Sequence, residues 1–303
     1  MSADVLIIGG GPAGLTAAIY ARRAGLSCVV FEKLFGGGQV ASTPDVSNYP
    51  GLPDVAGFEL AQRFESHAVA LGAGFERAEV LGLDLTPDSL GITTATGRVD
   101  GKTVILAMGA SRRKLGIPGE EAFAGRGVSY CATCDGAFFK GRDVAVVGGG
   151  NTALEDAVYL AGLCRKVYLV HRRSQFRGGA ALSKAALENP AVAPVLEYVP
   201  VEITGDSAVS ELRVRHVTTG EEQVLSVSGV FAAVGTSAES GLLEDRLPLD
   251  GQGRVVSGED CRTPIPGVFV AGDLRAKGLY QIVTATSDGA VAATEAFKFI
   301  TGQ

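Results

Sequence analysis

Two cysteines separated by two residues are followed at once by an acid in the run Cys131-Ala132-Thr133-Cys134-Asp135. Cysteines at this spacing can close a small disulfide ring and reopen it, and a first cysteine near a helix start gains thiolate character. Asp135 places a carboxyl group within reach of a sulfur that must lose or take a proton. The segment therefore indicates thiol–disulfide chemistry.

Two other interpretations of this segment are half of a zinc site and a pair of inert buried thiols. Structural zinc usually needs four Cys or His ligands, and the sequence contains neither a second CxxC nor an HxxxH pattern. The other cysteines, Cys28, Cys164 and Cys261, stand alone. We therefore favour redox activity and expect no metal site, provided that the chain binds a source of electrons.

The first nucleotide-binding pattern begins with the apolar run 5–8, which predicts a buried strand, and continues into a glycine loop and a helix-like stretch. Gly9 permits a tight turn, Gly11 allows backbone to approach a pyrophosphate, and Gly14 allows helix to pack on strand. A second apolar run then ends at Glu32, whose carboxylate can accept hydrogen bonds from ribose hydroxyls. The complete strand–loop–helix–strand–acid pattern predicts a dinucleotide site.

A second copy of this pattern follows the apolar run 143–147, with residues 148–153 as its glycine loop. Glu32 lies 23 positions after Gly9, and the residue 23 positions after Gly148 is His171 instead of an acid. The cations that follow are Arg172, Arg173 and Arg177. Guanidinium groups bind a phosphate through paired hydrogen bonds, whereas a carboxylate would repel it. We therefore predict NADPH at the second loop and a nucleotide with a free ribose, such as FAD, at the first.

Composition narrows the class of protein further. The 303 residues allow one large or two ordinary α/β domains, and a hydrophobic fraction of 46% predicts a globular protein. The formal charge of −6 argues against nucleic acid as the main partner. The first residues lack the basic stretch of a secretory signal peptide, and no apolar run is long enough to span a bilayer. We therefore expect a cytoplasmic protein without membrane attachment.

The order of the motifs predicts how the domains are arranged. Polar, Gly- and Pro-containing segments near 110–127 and 236–245 suggest two crossovers, and Cys134 lies only 14 positions before Gly148. This short tether places the cysteine pair with the second nucleotide unit. The simplest layout is two Rossmann-like domains with one inserted into the other, the predicted parts being residues 1–112, 113–240 and 241–303.

Taken together, the chain resembles the bacterial low-molecular-weight thioredoxin reductases from end to end. The motifs that carry this resemblance are GGGPAG at 9–14, GGQ at 37–39, NYPG at 48–51, CATCDG at 131–136, GGGNTA at 148–153, HRR at 171–173 with Arg177, and AGD at 271–273. The chain departs from the family pattern at Tyr280, where an Arg is usual before Gln281, and at Met108, where a Thr is common.

The resemblance implies a discontinuous FAD domain with an inserted NADPH domain, a homodimer, and flavin contacts from Gln39, Asn48, Asp273 and Gln281. With the motifs, the residues predicted to bind FAD are Gly9, Gly11, Pro12, Ala13, Gly14, Glu32, Gly38, Gln39, Asn48, Gly109, Asp273 and Gln281. Those predicted to bind NADPH are Gly148, Gly150, Asn151, Thr152, Ala153, His171, Arg172, Arg173 and Arg177.

The activity that the resemblance implies is thioredoxin-disulfide reduction. Electrons would pass from NADPH through FAD to the Cys131–Cys134 disulfide and then to oxidised thioredoxin, with domain rotation between half-reactions. Cys134 would face the flavin, Cys131 would attack the partner, and Asp135 would be the acid. The alternatives are another small disulfide protein as substrate (glutaredoxin-like or peroxiredoxin-linked), ferredoxin as electron donor, and a non-catalytic flavoprotein that acts as a redox-switched binding module.

Overall fold

The computed structural model describes residues 2–43, 46, 48–86, 89–243 and 246–303, apart from the side chains of Ser2 and Cys134. The chain forms two compact units. The discontinuous unit consists of Met1–Ser111 and Ser237–Gln303, and the inserted unit consists of Arg112–Thr236. Among the described residues, none of the helices has both the length and the apolar character that crossing a lipid bilayer requires.

The strands of the described residues are, in chain order, β1 (Ser2–Ile8), β2 (Cys28–Phe31), β3 (Gly74–Glu76), β4 (Val80–Thr86), β5 (Ser89–Thr94), β6 (Gly97–Leu106), β7 (Ala110–Arg112), β8 (Val128–Ser129), β9 (Asp143–Gly148), β10 (Lys166–His171), β11 (Val192–Leu196), β12 (Tyr198–Gly205), β13 (Val209–His216), β14 (Glu222–Ser226), β15 (Gly229–Ala233), β16 (Thr236–Ala238) and β17 (Val268–Val270). The α-helices are α1 (Pro12–Arg23), α2 (Gly57–Ala70), α3 (Ala132–Asp135), α4 (Asn151–Ala161), α5 (Ala180–Leu187) and α6 (Ile282–Thr301). Short 3₁₀ helices cover Gly38–Ser42, Gly136–Phe139, Gly241–Leu243 and Gly272–Leu274.

The discontinuous unit is built on one mixed sheet in the order β3-β2-β1-β6-β5-β4, with β17 also paired to β6. Strand β1 runs parallel to both of its neighbours, and Ile7 is aligned with Val30 on one side and Ile105 on the other. Because both faces of β1 are covered, its residues from Val5 onward are continuously apolar and buried. The carboxyl ends of these parallel strands therefore open toward a common edge.

Two helices cover one face of this sheet by means of small residues. Pro12 occupies the first turn of α1, where its missing N–H costs no hydrogen bond. A Cβ atom on Gly289 of α6 would lie 2.1 Å from the carbonyl oxygen of Ala13. Because only glycine allows this approach, α1 and α6 pack backbone against backbone.

The inserted unit contains a parallel sheet in the order β11-β10-β9-β15-β8 and a separate antiparallel sheet of β12, β13 and β14. Strand β9 lies between β10 and β15, and its apolar residues from Val144 to Val147 are buried. The two segments that connect the units, β7 and β16, pair with each other as a two-stranded sheet. Two α/β units that each contain parallel strands, one unit interrupting the other, confirm the predicted fold class.

Most of the predicted elements that carry motifs are confirmed. The strand predicted over 5–8 is the end of β1, and the helix-like stretch predicted after the first glycine loop is α1. The GGQ motif at 37–39 enters a 3₁₀ helix at Gly38. Gly37 and Gly38 both have positive φ, and the Gly37 N–H donates to the carbonyl oxygen of Gly10 at 2.6 Å. That long-range hydrogen bond fixes the turn and could not be inferred from local composition.

Candidate functional site

The glycine loop of the discontinuous unit is shaped by two close backbone approaches. A Cβ atom on Gly9 would lie 2.2 Å from the carbonyl oxygen of Ala107, and one on Gly14 would lie 1.9 Å from the carbonyl oxygen of Gly9. At Gly11 the nearest atom to a Cβ would be the Gly38 Cα, 4.0 Å away. Gly11 is the N-cap residue of α1, and no side chain accepts a hydrogen bond from the first N–H groups of this helix. This is the form of an anion-binding helix start.

The Glu32 carboxylate lies against this loop at the end of β2. One of its oxygens accepts a hydrogen bond from the Gly10 N–H at 2.8 Å, and the other accepts one from the Leu34 N–H at 3.0 Å. These two donors fix the carboxylate in place. Each oxygen keeps further acceptor capacity, so the group fits the two hydroxyls of a ribose.

The other residues predicted for the first site lie around the same edge of the sheet. The side-chain amide of Gln39 donates to the carbonyl oxygen of Ala110, the residue after Gly109, at 2.6 Å. The side-chain amide of Asn48 donates to the Gln281 side chain at 2.9 Å. Gly272 lies so close to the start of α1 that a Cβ atom there would be 2.8 Å from that of Ala13. The next residue, Asp273, has a raised pKa because it is buried. The structure therefore brings this set together, Pro12 included, and its shape and donors fit a dinucleotide.

A buried ion cluster beneath this edge was missed by the sequence analysis. The carboxylate of Asp288 accepts hydrogen bonds from Arg275 and Lys277, each at 2.8 Å, and from the Gly272 N–H at 3.0 Å. All three charged side chains are largely buried. The cluster anchors the segment that carries Asp273 to α6. An acid within the small apolar residues of α6 was the signal available in the sequence.

The glycine loop of the inserted unit repeats the first one. A Cβ atom on Gly148 would lie 2.2 Å from the Ala233 carbonyl oxygen and 2.7 Å from the Cβ of Ala153, whereas one on Gly150 would meet nothing within 4 Å. Gly150 is the N-cap residue of α4, and no side chain caps the start of this helix. The open side of this loop thus also fits a phosphate group. Asn151 and Thr152, the first residues of α4, are exposed beside it.

The structure places His171 differently from the neighbouring arginines. His171 is 5% exposed, and its ring packs under the loop, where a Cβ atom on Gly149 would lie 2.2 Å from the imidazole. Burial lowers the pKa of His171, and the positive charge of Arg177 lowers it further, so the surroundings favour the neutral ring. His171 therefore supports the backbone of the loop instead of presenting a charge to solvent.

The three arginines predicted to read a 2′-phosphate are exposed and lie near one another at the mouth of this loop. The positive charges of Arg177, Arg173 and Arg172 each contribute to lowering the pKa of His171, which indicates that all three are near its ring. The Arg177 N–H donates to the Gly149 carbonyl oxygen at 2.7 Å, and the Gly179 N–H donates to the Asn151 side chain at 2.8 Å. These bonds fasten the arginine segment to the start of α4. The cluster fits a phosphate carried on a ribose.

The cysteine segment lies in the same inserted unit. Cys131 is disulfide-bonded and immediately precedes α3, whereas Cys28, Cys164 and Cys261 are free and buried. The predicted partner, Cys134, has its side chain outside the described part of the structure. No group of three or more His, Cys, Asp or Glu residues in the described ranges is arranged to hold a metal ion.

A serine that the sequence analysis overlooked connects Cys131 to Asp135. The Ser129 hydroxyl donates to the Asp135 carboxylate at 2.6 Å and accepts a hydrogen bond from the Cys131 N–H at 3.0 Å. Ser129 is buried at the end of β8. The carboxylate is therefore held in a fixed orientation next to the reactive segment.

Comparison with known proteins agrees with this geometry. A family model described as pyridine nucleotide-disulphide oxidoreductase matches residues 3–289. The thioredoxin reductase of Treponema pallidum is 42% identical over 298 residues, which cover 98% of this chain and 97% of that protein. The crystal structure of Lactococcus lactis thioredoxin reductase matches with a TM-score of 0.90 at 38% identity, covering 99% of this chain and 100% of that one. The structure of T. acidophilum thioredoxin reductase matches with a TM-score of 0.86 at 34% identity, covering 98% of each chain. This chain therefore belongs to the pyridine nucleotide-disulphide oxidoreductase family.

Proposed function

We propose that this protein is a thioredoxin-disulfide reductase that uses FAD and NADPH. In the overall reaction, NADPH, a proton and oxidised thioredoxin give NADP⁺ and the thioredoxin dithiol. The proposal depends on one observation, the disulfide at Cys131. This disulfide lies in the inserted unit, which also contains Asp135, the second glycine loop and the arginine cluster. Full-length similarity to thioredoxin reductases supports thioredoxin over other disulfide substrates.

The discontinuous unit would hold FAD. Backbone at Gly11, Pro12 and Ala13 would face the pyrophosphate, and Glu32 would bind the adenosine ribose through its remaining lone pairs. Around the flavin we place the other predicted contacts, which are Gly38, Gln39, Asn48, Gly109, Asp273 and Gln281. When bound, the flavin supplies the two-electron transfer that links a nicotinamide to a disulfide.

The inserted unit would hold NADPH. The N–H groups at the start of α4, around Gly150 and Asn151, would bind the pyrophosphate, and Arg172, Arg173 and Arg177 would bind the 2′-phosphate. We assign His171 the task of keeping the loop in shape, because its ring lies beneath Gly149.

Transfer to the substrate is thiol–disulfide exchange. We assign Cys134, the one cysteine besides the three free ones, as the partner of Cys131. In the reduced enzyme the Cys131 thiolate attacks the thioredoxin disulfide and forms a mixed disulfide. The Cys134 thiolate then attacks Cys131, which releases reduced thioredoxin and restores the internal disulfide. Asp135, held by Ser129, donates or accepts the proton that the sulfur chemistry requires.

Three further features belong to the proposal. Both the nicotinamide and the disulfide must reach the flavin, so we place a rotation of the inserted unit at the two connecting strands, β7 and β16. The protein would work as a homodimer. We also place it in the cytoplasm, where a reducing environment suits its free cysteines.

Mixing the purified, flavin-loaded protein with NADPH and a disulfide-bearing thioredoxin tests the proposal. We expect loss of the yellow flavin colour with NADPH, slower loss with NADH, and release of two thiols for each NADPH consumed. Cys131→Ser should retain bleaching by NADPH but lose thiol release. Cys28→Ser, which changes a buried free cysteine, is the matched control and should keep both. No bleaching by either nucleotide, or full thiol release by Cys131→Ser, would contradict the proposal.

A further inference from the structure

An exposed aromatic ring lies near the first glycine loop and takes no part in the function described so far. Phe35 is 70% exposed, and its neighbour Leu34 is 66% exposed. The guanidinium carbon of Arg77 lies 5.3 Å from the centroid of the Phe35 ring. A cation near an aromatic ring is attracted to one face of that ring and leaves the opposite face open.

The topology puts Phe35 and Arg77 where α/β proteins bind ligands. Strand β2 ends at Phe31 and the neighbouring parallel strand β3 ends at Glu76, so both residues lie just beyond carboxyl ends. The two segments are joined by a hydrogen bond of 3.1 Å from the Glu32 N–H to the Glu76 carbonyl oxygen. Ligands of open α/β sheets bind outside this edge.

The carboxylate of Glu32 identifies which part of a ligand would reach this ring. Its two oxygens are fixed by the N–H groups of Gly10 and Leu34, so the group that reads the ribose is tied by one hydrogen bond to the residue before Phe35. In a dinucleotide the base is attached directly to that ribose. A purine whose ribose is bound by Glu32 is therefore held within reach of Phe35.

We propose that Phe35, held by Arg77, is the stacking surface for the adenine ring of FAD. The proposal rests on the proposed function in one respect, the identity of the dinucleotide as FAD. Every base has a π face that stacks on aromatic side chains, and such stacks contribute measurably to nucleotide affinity. An exposed phenylalanine beside a ribose-binding carboxylate thus gains a specific contact when the nucleotide is present.

Binding measurements on the flavin-stripped full-length protein test this inference. The dissociation constants of FAD and of ADP would be measured for the wild type, Phe35→Leu and Phe35→Tyr. Loss of a base–aromatic stack predicts roughly 5- to 100-fold weaker binding for Phe35→Leu, with the same factor for FAD and for ADP. Phe35→Tyr keeps the ring and should bind both ligands within about twofold of the wild type. Leu34→Ala is the matched control, since it trims an equally exposed apolar neighbour without removing a ring.

The outcomes separate this inference from the proposed function. Unchanged FAD and ADP affinities in Phe35→Leu would overturn the stacking role, even if NADPH-dependent thioredoxin reduction is normal. An equal loss of affinity in Leu34→Ala would also overturn it, because general apolar cover would then explain the effect. If thioredoxin is not reduced but Phe35→Leu weakens FAD and ADP alike, the function fails and the adenine contact stands. Circular dichroism of each stripped variant verifies that the fold is retained.

Discussion

At the residue scale, one buried hydroxyl links the two chemical groups of the cysteine segment. Ser129 donates to Asp135 and accepts from the backbone of Cys131, so it couples the orientation of the carboxylate to the position of the sulfur. A hydrogen bond to a charged group contributes about 1.5–3 kcal/mol. The contact therefore acts as a positioning device for the proton transfer assigned to Asp135.

Replacing this serine tests its positioning role. We expect Ser129→Ala to lower kcat for thioredoxin reduction by roughly 10- to 150-fold, the equivalent of losing one such hydrogen bond, with KM for thioredoxin unchanged. Ser129→Thr keeps the hydroxyl and should recover most of the rate. Ser210→Ala removes an exposed hydroxyl from β13 and serves as the control. A rise in KM without a fall in kcat would show that Ser129 acts on partner binding instead.

A second residue-scale prediction concerns Asp156 in α4, where burial raises the pKa of the carboxyl group to about 6. Because the folded-state pKa lies above the ordinary value, ionising this carboxyl opposes folding, and its cost grows as the pH rises from about 4 to about 6. Asp156→Asn should therefore raise the free energy of unfolding by about 1–3 kcal/mol at pH 7 relative to the wild type. The same comparison at pH 4 should show a much smaller difference. Urea unfolding at both pH values measures this.

The control for Asp156 is Glu155→Gln, which neutralises the exposed neighbour on the same helix. It should change stability little and by similar amounts at the two pH values. A stabilisation by Asp156→Asn that is independent of pH would mean that the carboxyl group does not titrate between the folded and unfolded states as described.

At the element scale, some glycines of each glycine loop are required by the fold, and others leave space for a ligand. Gly9, Gly14 and Gly148 are positions where a side chain would collide with backbone, so they determine the shape of the loop. Gly11 and Gly150 have open space where a Cβ atom would be, so the structure itself does not require glycine there. A phosphate group can occupy the space beside Gly11 and Gly150. Mutations at these glycines should therefore affect nucleotide binding without affecting folding.

We predict that alanine substitutions in the second loop show this separation. Gly150→Ala should leave the melting temperature nearly unchanged but weaken NADPH binding about tenfold or more, because the new methyl group occupies the approach of the phosphates. Gly148→Ala should destabilise the protein by about 1–3 kcal/mol through the contact with the Ala233 carbonyl oxygen. Thermal melts and NADPH titrations of both variants provide the measurements. If Gly150→Ala lowered the melting temperature as much as Gly148→Ala, this distinction between the two glycines would be wrong.

The two glycine loops could be predicted from the sequence, because the spacing of their glycines follows from the backbone contacts within each loop. The sequence also indicated the thiol–disulfide chemistry of the cysteine segment, because two cysteines and an acid lie within five consecutive residues. It did not predict Ser129 or the cluster of Asp288 and Arg275, because their partnerships depend on tertiary contacts that no period or motif encodes. His171 was expected to read the ribose from its position in the repeat. Its burial under Gly149 depends on packing of β10 against the loop, which the count of residues cannot show.

At the scale of the whole molecule, each unit has hydrophobic cores made of its own residues. In the inserted unit, one core packs α4 against the parallel sheet and includes Phe231 and Leu154. Another lies between that sheet and the antiparallel strands and includes Ile203 and Val230. A unit with its own core and its own sheet satisfies the physical requirement for independent folding.

We therefore predict that residues 112–236 fold as an isolated fragment. The fragment should unfold cooperatively on heating and should bind NADPH more tightly than NADH, since the loop and the arginine cluster both lie within it. A matched fragment with Arg172, Arg173 and Arg177 changed to alanine should melt at a similar temperature and lose that preference. Circular dichroism and nucleotide titration would measure both properties, and a fragment without a cooperative transition would contradict the prediction.

The burial of three cysteines has a practical consequence for following the enzyme. Burial raises the pKa of Cys28 to about 11 and that of Cys261 to about 12, and it also raises the pKa of Cys164, so these thiols do not ionise near pH 7. Only a thiolate reacts readily with an alkylating reagent. Iodoacetamide added to the native protein should therefore give almost no mass increase before NADPH is supplied and carbamidomethyl groups confined to Cys131 and Cys134 afterwards. Intact-mass spectrometry would then measure the fraction of molecules in which the Cys131–Cys134 pair is reduced, without a contribution from other cysteines. Labelling of Cys28, Cys164 or Cys261 in the folded protein would contradict this prediction.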